Sequence, residues 1–320
     1  MSDHLRAYRL RKEYSSRINK VIDYINLHLS EDLTLESLAG VANFSPYHFH
    51  RVFHTMAGET LNSYINRLRL ERAAHKLRWN INLSITDIAL ECGFSSSSAF
   101  TRAFKAYFNL SPTDYRAQFH KNYSCQVTPG SEYSFWGGGP ELPDHSLEPA
   151  QYARLRGFPF NARVELLPAY HVAYIRLVGF EENTYNENIA ETFKRLELWL
   201  RARDLFYPET LCIGLTYDDT EITQPDRCRY LCCFTVPPET KPEGEVGIQN
   251  TPAGKYVVSR ITGEWPDYGD LFAKTTDYLY GVWFPQSGYE PGEGLSYLEK
   301  YHPYRSGRLN MELCIPVKPV

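Results

Sequence analysis

The 320-residue sequence has no apolar run near the roughly 20 residues that a membrane-spanning helix needs. Its first residues, MSDHLRAYRLRKEY, lack the apolar core of a secretory signal. A cytoplasmic, nucleoid-associated protein is therefore expected. None of the seven cysteines, at 92, 125, 212, 228, 232, 233 and 314, forms a CxxC pair. Cys228, Cys232 and Cys233 cluster in sequence. However, RYLCCFTV reads as a strand, which sends Cys232 and Cys233 to opposite faces, so buried small apolar residues fit better than metal ligands. His145, His171 and His302 have no metal-ligand spacing. GxSxG, HExxH, phosphate-loop and dinucleotide fingerprints are all missing. Neither a cofactor, a metal nor an enzymatic function is expected.

What is present suffices for two folded domains: 43% hydrophobic and 14% aromatic residues, including 24 tyrosines. The net charge of −4 hides an asymmetry. Residues 1–122 carry +5 and the remainder −9. A basic half in an otherwise acidic chain points to a polyanionic partner.

Residues 14–120 read as seven short helices. Ile18, Val21, Ile22, Ile25 and Leu29 set the period of the first, with Ser15 or Ser16 as its N-cap. Further helical patterns cover 34–42, 45–57, 60–78, 84–92, 95–108 and 111–119. Residues 121–162 are rich in Pro, Gly and Ser and read as a linker, with Phe135 and Trp136 as docking points. From 163 to 320 strand-like runs (164–179, 211–217, 229–236, 254–263 and 309–317) alternate with two helical patterns. The order strand, helix, strand, strand occurs twice, which predicts a duplicated α+β domain.

The helical half repeats as well. TLESLAGVANFS and SITDIALECGFS superpose at an offset of 50, and the following helices at 51. Phe49, Val52, Phe53 and Met56 form the buried face of one long helix; Phe100, Ala103, Phe104 and Tyr107 form that of the other. The opposite faces carry Tyr47, His50, Arg51 and His54, and Ser98, Thr101, Arg102 and Lys105. One such face alone is an ordinary solvated helix. Two in register, with matched arginines in a basic domain, read as paired helix-turn-helix units for double-stranded DNA.

Ile85, Asp87, Ile88, Ala89, Gly93, Phe94, Ser96, Ser98, Phe100, Arg102, Phe104, Lys105, Phe108, Ser111, Pro112, Tyr115 and Arg116 resemble the second-unit signature of the AraC/XylS transcription regulators. The resemblance spans roughly residues 14–120. It implies two recognition helices in successive major grooves, joined by a connecting helix near 60–78. Tyr47, His50 and Arg51 then match base-contacting positions of the first unit, and Ser98 and Arg102 those of the second. Asn109 stands where the family has Gly, and Asn tolerates the left-handed helix cap. Arg67, Arg69, Arg72, Lys76 and Arg78 on the connecting helix read equally as phosphate contacts or as a solvated face.

The second half resembles GyrI-like effector-binding domains in three segments: GKYVVSRITGEWPDYGDLF, WFPQSGY and ELCIPV. This implies two strand-helix-strand-strand modules around a pocket for a small molecule, in multidrug regulators a cationic aromatic one. Glu312 matches the carboxylate that meets such ligands, with a solvent-facing role as its alternative. Trp265, Trp283, Tyr174, Tyr217 and Tyr268 are candidate walls, suited to stacking and cation–π contact. The leading expectation is a ligand-responsive transcription regulator, monomeric or homodimeric, working with RNA polymerase. A small-molecule hydrolase fused to a DNA-binding domain and a protein-docking or architectural role remain open.

Overall fold

In the computed structural model, which describes residues 3–80, 82–124, 161–179, 185–264, 268–292, 294–302 and 308–320, the first half is entirely helical. Its elements are α1 (Asp3–Leu27), α2 (Leu35–Val41), α3 (Pro46–Ala57), α4 (Leu61–Trp79), α5 (Ile85–Glu91), α6 (Ser97–Phe108) and α7 (Pro112–Ser124). Short polar side chains start six of them. Thr34, Ser45, Thr60, Ser84, Ser96 and Ser111 each accept a hydrogen bond from a backbone N–H three residues on. The turns inside the two units match: Asn43 and Gly93, 50 residues apart, both have positive φ. Gly58 and Asn109 end α3 and α6 in the same left-handed conformation. At Gly93 no larger residue fits, because a Cβ would lie 2.9 Å from the Leu29 carbonyl and the Arg69 guanidinium.

Each unit has its own core. Ile18, Val21, Ile25, Leu38, Phe49 and Phe53 pack in the first. Ala73, Leu77, Ile88, Phe100, Phe104 and Tyr115 pack in the second. Two local expectations fail. Met56 is exposed, because Val52 and Phe53 already fill the space under α3. Ser15 caps nothing, since α1 runs through it and its hydroxyl donates to the Arg11 carbonyl.

The connecting helix α4 departs furthest from expectation, because its cations are bonded to other parts of the protein. Arg67 is buried between Glu59, at 2.7 Å, and Glu71, at 3.3 Å. Arg69 donates to the carbonyls of Leu29 and Glu31 beyond the end of α1. Arg72 donates to the Asn26 carbonyl, and buried Lys76 pairs with Glu91 at 2.6 Å. Arg78, also buried, donates to the Tyr115 hydroxyl and pairs with Glu221 of the second half at 2.9 Å.

The second half is one antiparallel sheet with helices on one face. The run at 164–179 is two strands, β1 (Ala162–Leu167) and β2 (His171–Val178), since Pro168 has no N–H for the ladder. The rest follow as α8 (Tyr185–Arg201), β3 (Cys212–Thr216), β4 (Arg229–Thr235), β5 (Gly247–Asn250), β6 (Gly254–Glu264), α9 (Tyr268–Tyr278), a π turn (Leu279–Trp283), α10 (Phe284–Ser287), β7 (Tyr289–Pro291), β8 (Tyr297–Tyr301) and β9 (Arg308–Pro319). Strand order is β1-β6-β9-β8-β3-β4-β2-β5, with β7 beside β9. The expected duplication is present in this order. β2-α8-β3-β4 forms one module and β6-α9-β8-β9 the other, joined where β3 pairs with β8. Cys232 and Cys233 lie on opposite faces of β4 and are buried. The segment read as a linker lies almost wholly outside the described residues, with Cys125, Phe135, Trp136 and His145 in it.

Ser96→Ala removes the cap of α6 and should lower stability by about 1 kcal/mol. Chemical denaturation followed by helical circular dichroism checks this. Ser95→Ala, beside it, should change nothing measurable.

Candidate DNA-reading face and ligand site

On α3, Phe49, Val52 and Phe53 point into the core. The 3.6-residue period then leaves Tyr47, His50, Arg51 and His54 outside, and all four are exposed. Tyr47 is 76% exposed, and the Arg51 guanidinium lies 6.0 Å from its ring. An aromatic ring held open to water beside a cation suits contact with a base edge and a phosphate together. On α6, Phe100 and Phe104 point inward, and Ser98, Arg102 and Lys105 are exposed. Thr101 is half-buried and its hydroxyl donates to the Ser97 carbonyl at 2.8 Å, so it offers mainly its methyl group. The second face is thus flatter than the first, with Arg102 and Lys105 as its reach.

The effector candidates among the described residues lie in different parts of the second half. Tyr174 is fully buried, and its hydroxyl donates to Asp23 of α1 at 2.5 Å. It is a domain contact, which removes it from the pocket wall. Tyr217 accepts from Gln249 at 3.1 Å beside the same junction, where burial raises its phenol to about 12. Trp283 belongs to the helix-covered core and stacks on Tyr289, with ring centroids 6.1 Å apart. Trp265 lies outside the described residues, as does the side chain of Tyr268.

Glu312 is buried on the helix-free face, so the solvent-facing alternative fails. It also differs from an open anionic site. Lys300 and Arg163 each reach it at 2.6 Å, and His302 approaches to 3.4 Å. Burial raises its pKa, but hydrogen bonds from Lys300 and Arg163 outweigh this and leave it at about 2. A carboxylate already neutralised by its own protein has little to offer a cationic ligand.

Sequence reasoning missed a different carboxylate, Glu299. It lies on β8 facing the helices and is 2% exposed. Its Oε2 accepts from the Tyr230 hydroxyl and, at 2.7 Å, from the Tyr301 hydroxyl. Rings surround it: Phe193 of α8 lies 5.8 Å from Tyr301, and Phe272 of α9 lies 5.3 Å from Tyr297. Gly214, opposite on β3, makes the arrangement possible, since a Cβ there would coincide with the Tyr230 hydroxyl. Glu299 therefore sits at the seam between the modules, below both helices. The pattern Tyr297-x-Glu299-x-Tyr301 was its sequence signal: period-two alternation that places all three on one strand face. Among the described residues no group of three His, Cys, Asp or Glu is arranged to hold a metal, and no helix is long and apolar enough to cross a membrane.

The depressed pKa of Glu312 has a consequence for acid stability. The ionised form is favoured in the folded chain, so its contribution is present above the unfolded carboxylate value and is lost as pH falls from about 4.5 towards 2. Denaturation curves over that range should flatten in Glu312→Gln relative to the parent.

Two family models match the chain. A helix-turn-helix domain covers residues 38–118, and a GyrI-like small molecule binding domain covers 160–318. The uncharacterized HTH-type transcriptional regulator YbfP of Bacillus subtilis is 39% identical over 113 residues, 35% of this chain and 38% of that protein. The regulatory protein PocR of Salmonella typhimurium is 36% identical over 109 residues, 34% of this chain and 36% of that protein. The chain thus spans less than two-fifths of the length of these relatives. Among solved structures, the DNA-binding domain of AdpA, a global transcriptional factor in complex with target DNA, is 27% identical. It covers 33% of this chain and 95% of that one, with a TM-score of 0.32. The EcmrR C-terminal domain is 19% identical, covering 51% of this chain and all of that one, with a TM-score of 0.41. With both halves matched, the chain joins an AraC-type helix-turn-helix domain to a GyrI-like small-molecule-binding domain.

Proposed function

We propose that this protein is a sequence-specific DNA-binding transcription regulator whose activity responds to a small molecule bound in its C-terminal domain. The observation that carries the reading is the matched pair α3 and α6. They share the same caps and buried phenylalanines, and both leave an arginine exposed, Arg51 on one and Arg102 on the other. Cations on the connecting helix are consumed inside the protein, so DNA affinity rests on these two faces and on the few cations beside them. Tandem units let one chain read an asymmetric site about two helical turns long, without requiring a dimer.

Glu299 is the best-supported ligand carboxylate. Two hydroxyls orient it, rings flank it, and it lies between two helices that an entering molecule could part. An aromatic cation suits such a site, gaining charge neutralisation and stacking together.

Arg51→Ala and Arg102→Ala should each weaken specific binding by about 10- to 100-fold, the equivalent of one good base contact, and relax preference at different base positions. Footprinting and competition on a selected duplex measure both. An unchanged footprint in both variants would refute the reading. For the ligand, aromatic cations should quench tyrosine and tryptophan fluorescence. Glu299→Gln should weaken that binding by at least about 10-fold, while Glu312→Gln leaves it near the parent value. Conversion of the bound compound would instead favour a hydrolase.

A further inference from the structure

The two halves of the molecule meet at two main places, with a further contact from the β3–β4 loop between them. At the first, α1 lies against β2 and β4 of the first module. Arg176 donates to Asn19 at 2.6 Å and to Asp23 at 2.5 Å, and Tyr174 donates to the same Asp23. Arg229, held by Asp218, donates to the Asn26 side chain at 2.9 Å and to the Tyr64 hydroxyl at 3.2 Å. The opposite side of α1 is Ile18, Val21, Ile22 and Ile25, which belong to the core of the first helix-turn-helix unit. This contact therefore holds the first unit.

At the second place, the end of α4 meets the second module. Trp79 packs on Tyr280 of the π turn, with ring centroids 5.0 Å apart, and on Phe284 at 6.5 Å. The Asn80 side chain donates to Glu290 of β7 at 2.9 Å. On its other side Trp79 meets Phe119 of α7 at 5.2 Å, so this contact holds the second unit. Between the two places lies a cavity of about 80 Å³, lined by Asn26, Leu68, Glu71, Asp218, Thr223 and Arg229 among others. The buried Thr223 hydroxyl makes no hydrogen bond among the described residues. The junction is two grips with a gap between them.

We propose that the first module holds both helix-turn-helix units while the second module grips only the second unit, so that the angle between the modules sets the spacing of the two recognition helices. α9 carries Phe272 beside the Tyr297–Glu299–Tyr301 strand face and continues through the π turn to Tyr280 and Phe284. A molecule that parts α8 from α9 at the seam moves the second grip relative to the first. Insertions of the π type concentrate at functional sites, where the helix must change register or bend. The β3–β4 loop, which belongs to the first module, also reaches the second unit: Asp219 and Glu221 pair with Arg78, and Ile222 packs in the core of that unit. This regulatory consequence rests on the DNA-reading and ligand-sensing function proposed above, whereas the pairing of grips does not.

Hydrogen exchange on the full chain tests the pairing without DNA or ligand. Asp23→Asn keeps the shape but removes the charge that Arg176 meets. It should raise exchange in α1 and β2 by about 5-fold or more and leave α7 and the π turn within about 2-fold. Trp79→Ala should do the reverse, and Asn19→Ala and Glu290→Ala provide milder versions of each release. If either release loosens both units alike, or neither unit, the pairing is overturned. The consequence is read on the duplex that the full chain enriches from a random library. One inserted base pair between its half-sites should weaken binding to the parent protein by about 10-fold or more, and to either release variant by less than about 3-fold. An unchanged spacing penalty in both variants overturns the coupling. Failure to enrich any duplex defeats the DNA-reading function, while the exchange pattern still decides the pairing.

Discussion

A guanidinium cannot give up its charge inside a protein, so every buried arginine obliges the fold to bring it a partner. Arg67, Arg78, Arg176 and Arg229 are all buried, and each is held protonated against the cost of burial by acids or tyrosines around it. Three of the four find partners in the other domain: Arg78 in Glu221, Arg176 in Asp23 and Arg229 in Asn26 and Tyr64. Removing one partner from such a pair costs about 3–5 kcal/mol, because the charge left behind is desolvated. The docking of the two domains is thereby directional. An apolar contact of equal area could slide, whereas these pairs specify one arrangement.

Both halves are duplications, and each places its important residues where the copies meet. In the helical half the copies are separated by α4, whose buried cations pair with Glu59 on one side and Glu91 on the other. In the sheet half the copies meet edge to edge at β3 and β8, where Gly214 and Glu299 face each other. A carboxylate buried there is tolerable because Tyr230 and Tyr301 donate to it. The helix-free face uses a buried carboxylate of its own, Glu312, for internal cross-links between β9, β8 and β1. Two glutamates 13 residues apart thus have opposite environments, decided by strand parity and by which cations the neighbouring strands supply.

The helices and recognition faces were legible because their signals are local. For α3 and α6, a serine before the helix, a phenylalanine pair on one side and a left-handed residue after it lie within about fifteen residues. The module order was legible for the same reason, through β-branched and aromatic runs. Strands β5, β7 and β8 escaped notice: two are only 4 and 3 residues long, and Tyr297–Tyr301 has no β-branched residue at all. With β8 unread, Glu299 could not be placed on a face. Glu312 was placed on the correct strand, but its partners Lys300 and Arg163 come from elements 12 and 149 residues away.

The sequence by itself determined the two duplications, the caps and the exposed arginines Arg51 and Arg102, since each follows from periodicity and short-range hydrogen bonding. Tertiary structure decided the fate of the charges on α4 and in the sheet. Arg67 and Arg78 look the same in sequence as solvated helix cations, yet they became internal struts. Tyr174 looks like a ligand-stacking ring, yet its hydroxyl is committed to Asp23. The physical reason is that a charge or hydroxyl is assigned by whatever the fold places within about 3 Å of it. For these residues that neighbour lies far away in the chain.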